Sequence, residues 1–235
     1  MPKIVLFALG AVFALLIIIT GIRIGLLLRS VSSYRSYWHK DAAKTPAPDS
    51  LTYIALGDST AQGIGASSPR RGYVGLVAEF ITKQTGRPVR VINISVSGAK
   101  VANAINKQLP QLATLPKADY ITIEIGANDI AKLDEVVFRT QFEDLLKKLP
   151  SGVYVANIPS FKGGKKANLD SSAFAASQII GQRVTERTDL HLVKLYETTS
   201  NQGILDFAVD LFHPSNRGYK NWARAFTDAI AKSKQ

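Results

Sequence analysis

Tyr53-Ile54-Ala55-Leu56-Gly57-Asp58-Ser59 is the stretch that decides the fold of this chain. Its apolar and aromatic residues predict a buried strand, which ends at the glycine. A continuously apolar strand is typical of a parallel sheet that is covered by helices on both faces. Ser59 would then stand at the carboxyl end of a central strand, where open α/β sheets bind their ligands.

The rest of the folded unit alternates between two patterns. Short apolar runs predict strands at 52–56, 89–94, 120–125, 153–158 and 190–195. Helical spacing predicts helices at 73–85, 99–112, 135–149, 171–188 and 216–232. Alternating strands and helices indicate an α/β unit with a five-stranded parallel sheet.

The first residues of the chain have a different character. No charged residue lies between Ile4 and Ile22, and the apolar run resumes after Arg23 and reaches Leu28. About 20 apolar residues span the hydrocarbon core of a bilayer. Because no small-x-small cleavage site follows, we expect one uncleaved transmembrane helix over 1–29. A signal sequence is the alternative.

Residues 30–50 are expected to form a juxtamembrane segment and a Pro/Ala linker, ahead of the folded unit at 51–235. Tyr34, Tyr37 and Trp38 suit a membrane–water interface. Basic residues are more numerous after the apolar segment than before it, which favours a cytoplasmic folded unit. A short start with one lysine before an apolar run is instead usual for exported domains. We adopt a single-pass membrane anchor with the folded unit on the extracytoplasmic face.

Composition excludes several classes of site. The 235 residues contain no cysteine, so disulfides, thiol catalysis and cysteine-ligated metals are excluded. The formal net charge is +11, but no dense basic run interleaved with aromatics occurs after residue 50, so we expect no nucleic-acid partner. No histidine or carboxylate group has the spacing of metal ligands. We therefore expect neither a metal nor a cofactor, and the oligomeric state stays open.

Polar clusters follow four predicted strands at the same edge of the sheet, at 57–63, 95–98, 126–129 and 210–214. Of the three histidines, only His213 lies in such a cluster. Asp210, three residues earlier, can hold one imidazole nitrogen and leave the other to face Ser59. The sequence therefore predicts Ser59 as a nucleophile, His213 as its base and Asp210 as the group that orients the base.

Acyl transfer also needs hydrogen-bond donors for the developing oxyanion. The candidates are the backbone N–H of Ser59, the backbone N–H of Gly98 and the side-chain amide of Asn128. We expect Asp58 and Asp129 to brace their loops through hydrogen bonds rather than to take part in the chemistry. Phe161 and the loop 162–166 are expected either to border the site or to form a solvated loop.

Taken together, Gly57-Asp58-Ser59 with Gly63, then Gly98, then Gly126-Ala127-Asn128-Asp129, then Asp210-Leu211-Phe212-His213 resemble the four sequence blocks of the SGNH/GDSL hydrolases. The resemblance covers residues 52–230. It implies a flavodoxin-like three-layer α/β/α sandwich and metal-free ester hydrolysis. It also implies a Ser59-His213-Asp210 triad and an oxyanion hole at Ser59, Gly98 and Asn128. Thr60 departs from the motif, whose name has leucine there, at a position that is not catalytic.

Three functions are weighed on this basis. The first is hydrolysis of carboxylic esters, on lipid acyl esters in the manner of a lysophospholipase or esterase. The second is an O-acetyl esterase that acts on cell-surface glycans. The third, of another class, is a non-catalytic or nucleotide-binding α/β module. The glycine-rich run 57–65 follows a strand but lacks the Gly-Lys-Ser/Thr ending of a P-loop.

Overall fold

The computed structural model describes residues 2–234. Its sheet has five parallel strands in the order β2-β1-β3-β4-β5. The strands are β1 Leu51–Gly57, β2 Val89–Asn93, β3 Tyr120–Glu124, β4 Tyr154–Ala156 and β5 His191–Val193. Each predicted strand is present, with ends within two residues of the prediction. This strand order is that of flavodoxin-like doubly wound sheets, so the predicted fold class is confirmed.

The described residues form eight α-helices. They are α1 Pro2–Ala42, α2 Ser59–Gln62, α3 Tyr73–Thr85, α4 Val101–Asn103, α5 Glu135–Lys148, α6 Asp170–Thr185, α7 Leu195–Thr199 and α8 Asn216–Lys232. The helices cover both faces of the sheet. Successive residues of a strand point to opposite faces, so each strand contributes to two cores. Ile54 and Leu56 point to a core shared with α5 and α6, whereas Tyr53 and Ala55 point to a core shared with α3 and α8.

The helix predicted at 99–112 is not a regular α-helix. After α4, the chain forms a π-helical turn over Ala104–Gln108 and a 3₁₀ turn over Leu109–Ala113. Pro110 explains part of this break, because proline lacks an N–H and disrupts a helix interior. The wide turn also directs the buried Gln108 amide at Gly57, where its Nε2 donates to the carbonyl at 2.8 Å and its Oε1 accepts from the N–H at 2.9 Å.

The long helix α1 runs from the apolar segment into the region that the sequence predicts to be juxtamembrane. Trp38 is 1% exposed and belongs to the same core as α3 and α8. Its indole N–H donates to the carbonyl of Gln62 at 3.0 Å. Trp38 therefore packs into the core of the folded unit and does not lie at a membrane–water interface. Residues 43–50 connect α1 to β1 without helix or strand.

Candidate active site

Ser59 is positioned by a sharp turn between β1 and α2. The strand ends at Gly57, whose φ of +147° favours glycine, and an added Cβ there would lie 2.4 Å from the carbonyl oxygen of Glu124. Asp58 caps α2 by accepting the backbone N–H of Thr60 at 2.9 Å. Ser59 is the first residue of this one-turn helix, so its own N–H has no partner within the helix.

The loop before α8 brings Asp210 and His213 to Ser59. Nε2 of His213 lies 3.0 Å from Oγ of Ser59, and Nδ1 lies 2.6 Å from Oδ2 of Asp210. Ser59 and His213 are 154 residues apart in the chain, and only the fold joins them. A base between a hydroxyl and a carboxylate is the arrangement that activates a serine.

Backbone geometry holds this loop in place. Oδ1 of Asp210 accepts the N–H groups of Phe212 and His213, each at 3.1 Å. Leu211 between them has a φ of +54°, a left-handed conformation that costs a residue with a side chain about 1–2 kcal/mol. Gly65 lies directly behind the histidine, because an added Cβ would be 2.8 Å from the His213 Cβ.

Asp210 is an anion in this environment. Burial opposes its ionisation, but hydrogen bonds and charge from His213, together with the two backbone N–H groups, hold the pKa of Asp210 below its ordinary value. An anionic Asp210 keeps the proton of the neutral imidazole on Nδ1. Nε2 is then free to accept the proton of Ser59.

The three predicted oxyanion donors lie at neighbouring strand ends, but they differ in whether they already donate a hydrogen bond within the protein. Gly98 has a φ of +74° with open space at its Cα. Asn128 is already engaged, because its Nδ2 donates to Oδ2 of Asp58 at 2.9 Å and to the carbonyl of Ala99 at 3.0 Å. An amide nitrogen has two protons, so an oxyanion reaches Asn128 only by sharing or replacing one of these acceptors.

A buried acid pair lies next to Ser59, at Asp58 and Glu124. The Thr60 hydroxyl is 2.9 Å from Oδ1 of Asp58 and 2.5 Å from Oε2 of Glu124. A hydroxyl has a single proton, so it donates to one carboxyl group and accepts from the other. Burial, followed by repulsion from Asp58, raises the pKa of Glu124 well above its ordinary value. Asp58 accepts three hydrogen bonds, so Glu124 is the member that holds the proton.

Sequence reasoning did not single out Gln62, Gln108 or Glu124, although all three support the site. Gln62 donates to the carbonyl of Ser95 at 2.9 Å and accepts from the hydroxyl of Ser97 at 2.8 Å, which fixes the loop that contains Gly98. The sequence does contain a signal for Glu124, because a charged residue stands in a strand whose other residues are uncharged. Buried polar groups of this kind must find partners.

The loop after β4 borders the histidine. Phe161 is buried and stacks on Phe212 with ring centroids 5.9 Å apart, and the N–H of Lys165 donates to the carbonyl of Leu211 at 2.6 Å. The prediction that this segment borders the site therefore agrees with its position. Surface cavities of about 700 and 440 Å³ lie elsewhere, and neither is lined by Ser59 or His213. Among the described residues, no cluster of His, Cys, Asp or Glu could hold a metal ion.

Sequence comparison gives the family. The model of the GDSL-like Lipase/Acylhydrolase family matches residues 55–220. The chain belongs to this family. The resemblance drawn from the four sequence blocks is thereby confirmed. A GDSL-like esterase of Mycobacterium tuberculosis, Rv1075c, is 30% identical over 89 residues, which are 38% of this chain and 28% of that protein. The chain thus matches less than a third of this relative's length.

Solved structures share the fold of this chain. LAE5, an alpha/beta hydrolase enzyme from a Lake Arreo metagenome, superposes with a TM-score of 0.63 at 18% identity, over 77% of this chain and 95% of LAE5. A variant of Axe2, an acetyl xylan esterase from Geobacillus stearothermophilus, gives 0.61 at 20% identity, over 77% and 94%. TesA gives 0.61 at 20% identity, over 77% and 98%. At these identities the likeness shows the fold alone.

Proposed function

We propose that this GDSL-like hydrolase cleaves carboxylic esters through an acyl-enzyme on Ser59, with His213 as base and Asp210 as the group that orients it. The observation that carries the proposal is the continuous hydrogen-bonded line from Ser59 Oγ through His213 to Asp210, at 3.0 and 2.6 Å. A module that only binds nucleotides does not need a base held between a serine and a carboxylate.

The reaction proceeds in two acyl transfers. Ser59 Oγ attacks the ester carbonyl carbon while its proton passes to Nε2 of His213, and Asp210 stabilises the imidazolium. The tetrahedral intermediate collapses as the C–O bond of the ester breaks, and the departing alkoxide takes that proton as an alcohol. A water molecule then gives its proton to His213 and attacks the acyl-enzyme. Collapse of the second intermediate returns the proton to Ser59 and releases the carboxylic acid.

The oxyanion of both intermediates is bound by the N–H groups of Ser59 and Gly98 and by Asn128. Loss of one such donor typically lowers turnover by about 10²–10³. Asn128 already donates to Asp58 and Ala99, so in the intermediate the oxyanion shares or replaces one of these acceptors. Replacing a fixed acceptor by the oxyanion favours the intermediate over the neutral ester, which is the differential binding that catalysis requires.

We infer lipid acyl esters as the substrate class and a single-pass anchor with the catalytic domain on the extracytoplasmic face. The support for the anchor, and through it for a substrate in the membrane, is α1, which is long and apolar enough to cross a bilayer. A signal sequence would satisfy the same criterion. The choice of side rests on the short start with one lysine before the apolar run. The alternative substrate is an O-acetyl ester of a cell-surface glycan, which Axe2, as an acetyl xylan esterase, makes worth testing.

The experiment is a chain-length series of nitrophenyl esters with the full chain in detergent, compared with Ser59→Ala. A lysophospholipid and an acetylated xylo-oligosaccharide are tested beside it. The proposal predicts hydrolysis by the wild type, no turnover by Ser59→Ala, and a preference for long acyl chains. Selective release of acetate from the acetylated sugar would show that the substrates are glycan esters and not lipid esters. Equal rates for the wild type and Ser59→Ala would contradict the proposed mechanism.

A further inference from the structure

The direction of α1 relative to the sheet can be read from three contacts. The Tyr34 hydroxyl donates to the carbonyl of Ala66 at 2.8 Å, and Trp38 donates to Gln62. Both acceptors follow the carboxyl end of β1. Further along the helix, the Ala42 carbonyl accepts from Arg90, at the start of β2. The helix therefore descends from the carboxyl edge of the sheet to the amino edge, and its apolar half projects beyond the carboxyl edge.

The apolar half ends close to the domain. Between Val5 and Leu28, the described apolar side chains are exposed apart from partly buried Leu27, whereas Ser30 is fully buried. At 1.5 Å per residue, Leu28 stands only about 9 Å along the axis from Tyr34, which contacts Ala66. No glycine or proline interrupts the helix after position 25, so a bilayer around this segment would meet the domain at its carboxyl edge.

The same edge carries exposed apolar side chains. Among the described residues outside α1, the exposed large apolar side chains are Val136 and Val137 at the start of α5, Phe174 near the start of α6, and Ile204 and Leu205 before α8. Each of these positions follows the carboxyl end of a strand or lies in the connection that contains Asp210. Their side chains are 49–74% exposed, and their placement at the edge beyond which the apolar half of α1 projects makes them candidates for contact with a bilayer.

Positive charge surrounds these apolar residues. Exposed lysines stand in the loops after β2, β3 and β4, at Lys100, Lys132, Lys162, Lys165 and Lys166. They outnumber the two exposed acids at the start of α5, Asp134 and Glu135. Lysines near a membrane surface are attracted to anionic headgroups. Apolar side chains with flanking lysines fit a lipid surface better than a glycan.

We propose that the carboxyl edge of the sheet is a membrane-docking surface, held against an anionic bilayer by α1, so that Ser59 takes its ester from that bilayer. The substrate part rests on the proposed hydrolase function, but the docking part does not. The link from α1 to the site is direct, because Trp38 holds Gln62 and Gln62 holds the loop of Gly98 through Ser97. Hydrogen bonds thus connect the helix that contains the apolar segment to the loop that contains Gly98.

The absence of cysteine allows a direct test with single-cysteine variants of the full chain. Leu205→Cys places a polarity-sensitive dye on the carboxyl edge, and Phe174→Cys is a second probe there. Thr188→Cys, exposed between α6 and β5 at the amino edge, is the matched control. Each labelled protein is inserted into vesicles of phosphatidylcholine and phosphatidylglycerol that contain headgroup-spin-labelled lipid.

We expect the dye at Leu205 or Phe174 to lose most of its emission to the spin label, and the dye at Thr188 to keep it. Equal quenching at the two edges, or quenching at Thr188 alone, overturns the docking surface. Hydrolysis is measured separately, on a soluble nitrophenyl ester and on lysophospholipid in the same vesicles. Edge-specific quenching without release of fatty acid overturns the substrate part alone, whereas no activity on either ester, with quenching intact, overturns the proposed hydrolase.

Discussion

Replacing Asp210 by asparagine isolates the electrostatic part of the triad from its geometry. The amide of Asp210→Asn keeps Oδ1, which accepts the N–H groups of Phe212 and His213 at 3.1 Å. Its Nδ2 takes the place of Oδ2, 2.6 Å from Nδ1 of His213. Nδ2 is a donor, so Nδ1 must become the acceptor and the imidazole proton moves to Nε2. The nitrogen that faces Ser59 can then no longer accept its proton.

The magnitude follows from this change of tautomer. In serine proteases the equivalent substitution lowers turnover by about 10⁴ with the geometry intact, which is about 5.4 kcal/mol at 1.36 kcal/mol per tenfold. The loop keeps both backbone hydrogen bonds, so the loss of folding stability is limited to one charged hydrogen bond, about 1.5–3 kcal/mol. We therefore expect a nearly inactive protein that remains folded.

The assay is kcat/KM for nitrophenyl butyrate, beside urea unfolding at several pH values. Because the pKa of Asp210 is lowered in the folded state, its carboxylate stabilises the fold above its unfolded pKa, and this contribution is lost as the pH falls through the folded value. The difference in unfolding free energy between wild type and Asp210→Asn should therefore shrink as the pH falls. Asp129→Asn is the control, with a change of less than about threefold expected for a loop-bracing carboxylate. A folded Asp210→Asn protein that keeps a tenth of the wild-type rate would refute the reasoning.

Three further predictions concern the surroundings of the site. Because the pKa of Glu124 is raised in the folded state, the wild type should lose stability as the pH rises above the ordinary glutamate value of 4.5. Glu124→Gln should remove this loss; the same dependence of unfolding free energy on pH in both proteins, measured with urea, would contradict it. Gly65→Ala should lower kcat/KM by about 10² or more, because its Cβ displaces His213, with circular dichroism as the folding control. Trp38→Ala should lower the unfolding free energy by about 3–5 kcal/mol, and a change under 1 kcal/mol would show that the Trp38–Gln62 contact is not needed.

The strands and most of the helices could be predicted because their residues carry the signal themselves. β1 is buried on both faces, so its continuously apolar sequence indicates a parallel strand. The pair Asp210 and His213 is also local, since the two residues are three positions apart. Ser59 could be linked to them only by assuming the sheet, because strand ends far apart in sequence share one edge.

The rest depended on contacts that leave no periodic pattern. The π-helical turn at 104–108 brings buried Gln108 to the backbone of Gly57, and such a long-range partner leaves no signal in the local sequence. Trp38 reads equally well as an interfacial aromatic and as a core residue until its partner Gln62 is known. The engagement of Asn128 by Asp58 is of the same kind, since 70 residues separate the two.

The central claim is that Ser59 is an activated nucleophile. Incubation of the full chain with a fluorophosphonate probe, followed by peptide mass spectrometry, tests it most directly. The account predicts a single phosphonyl adduct on Ser59, no adduct in Ser59→Ala and a strongly slowed reaction in His213→Ala. An unlabelled Ser59 in folded wild-type protein, or equal labelling of Ser59→Ala at another residue, would contradict it.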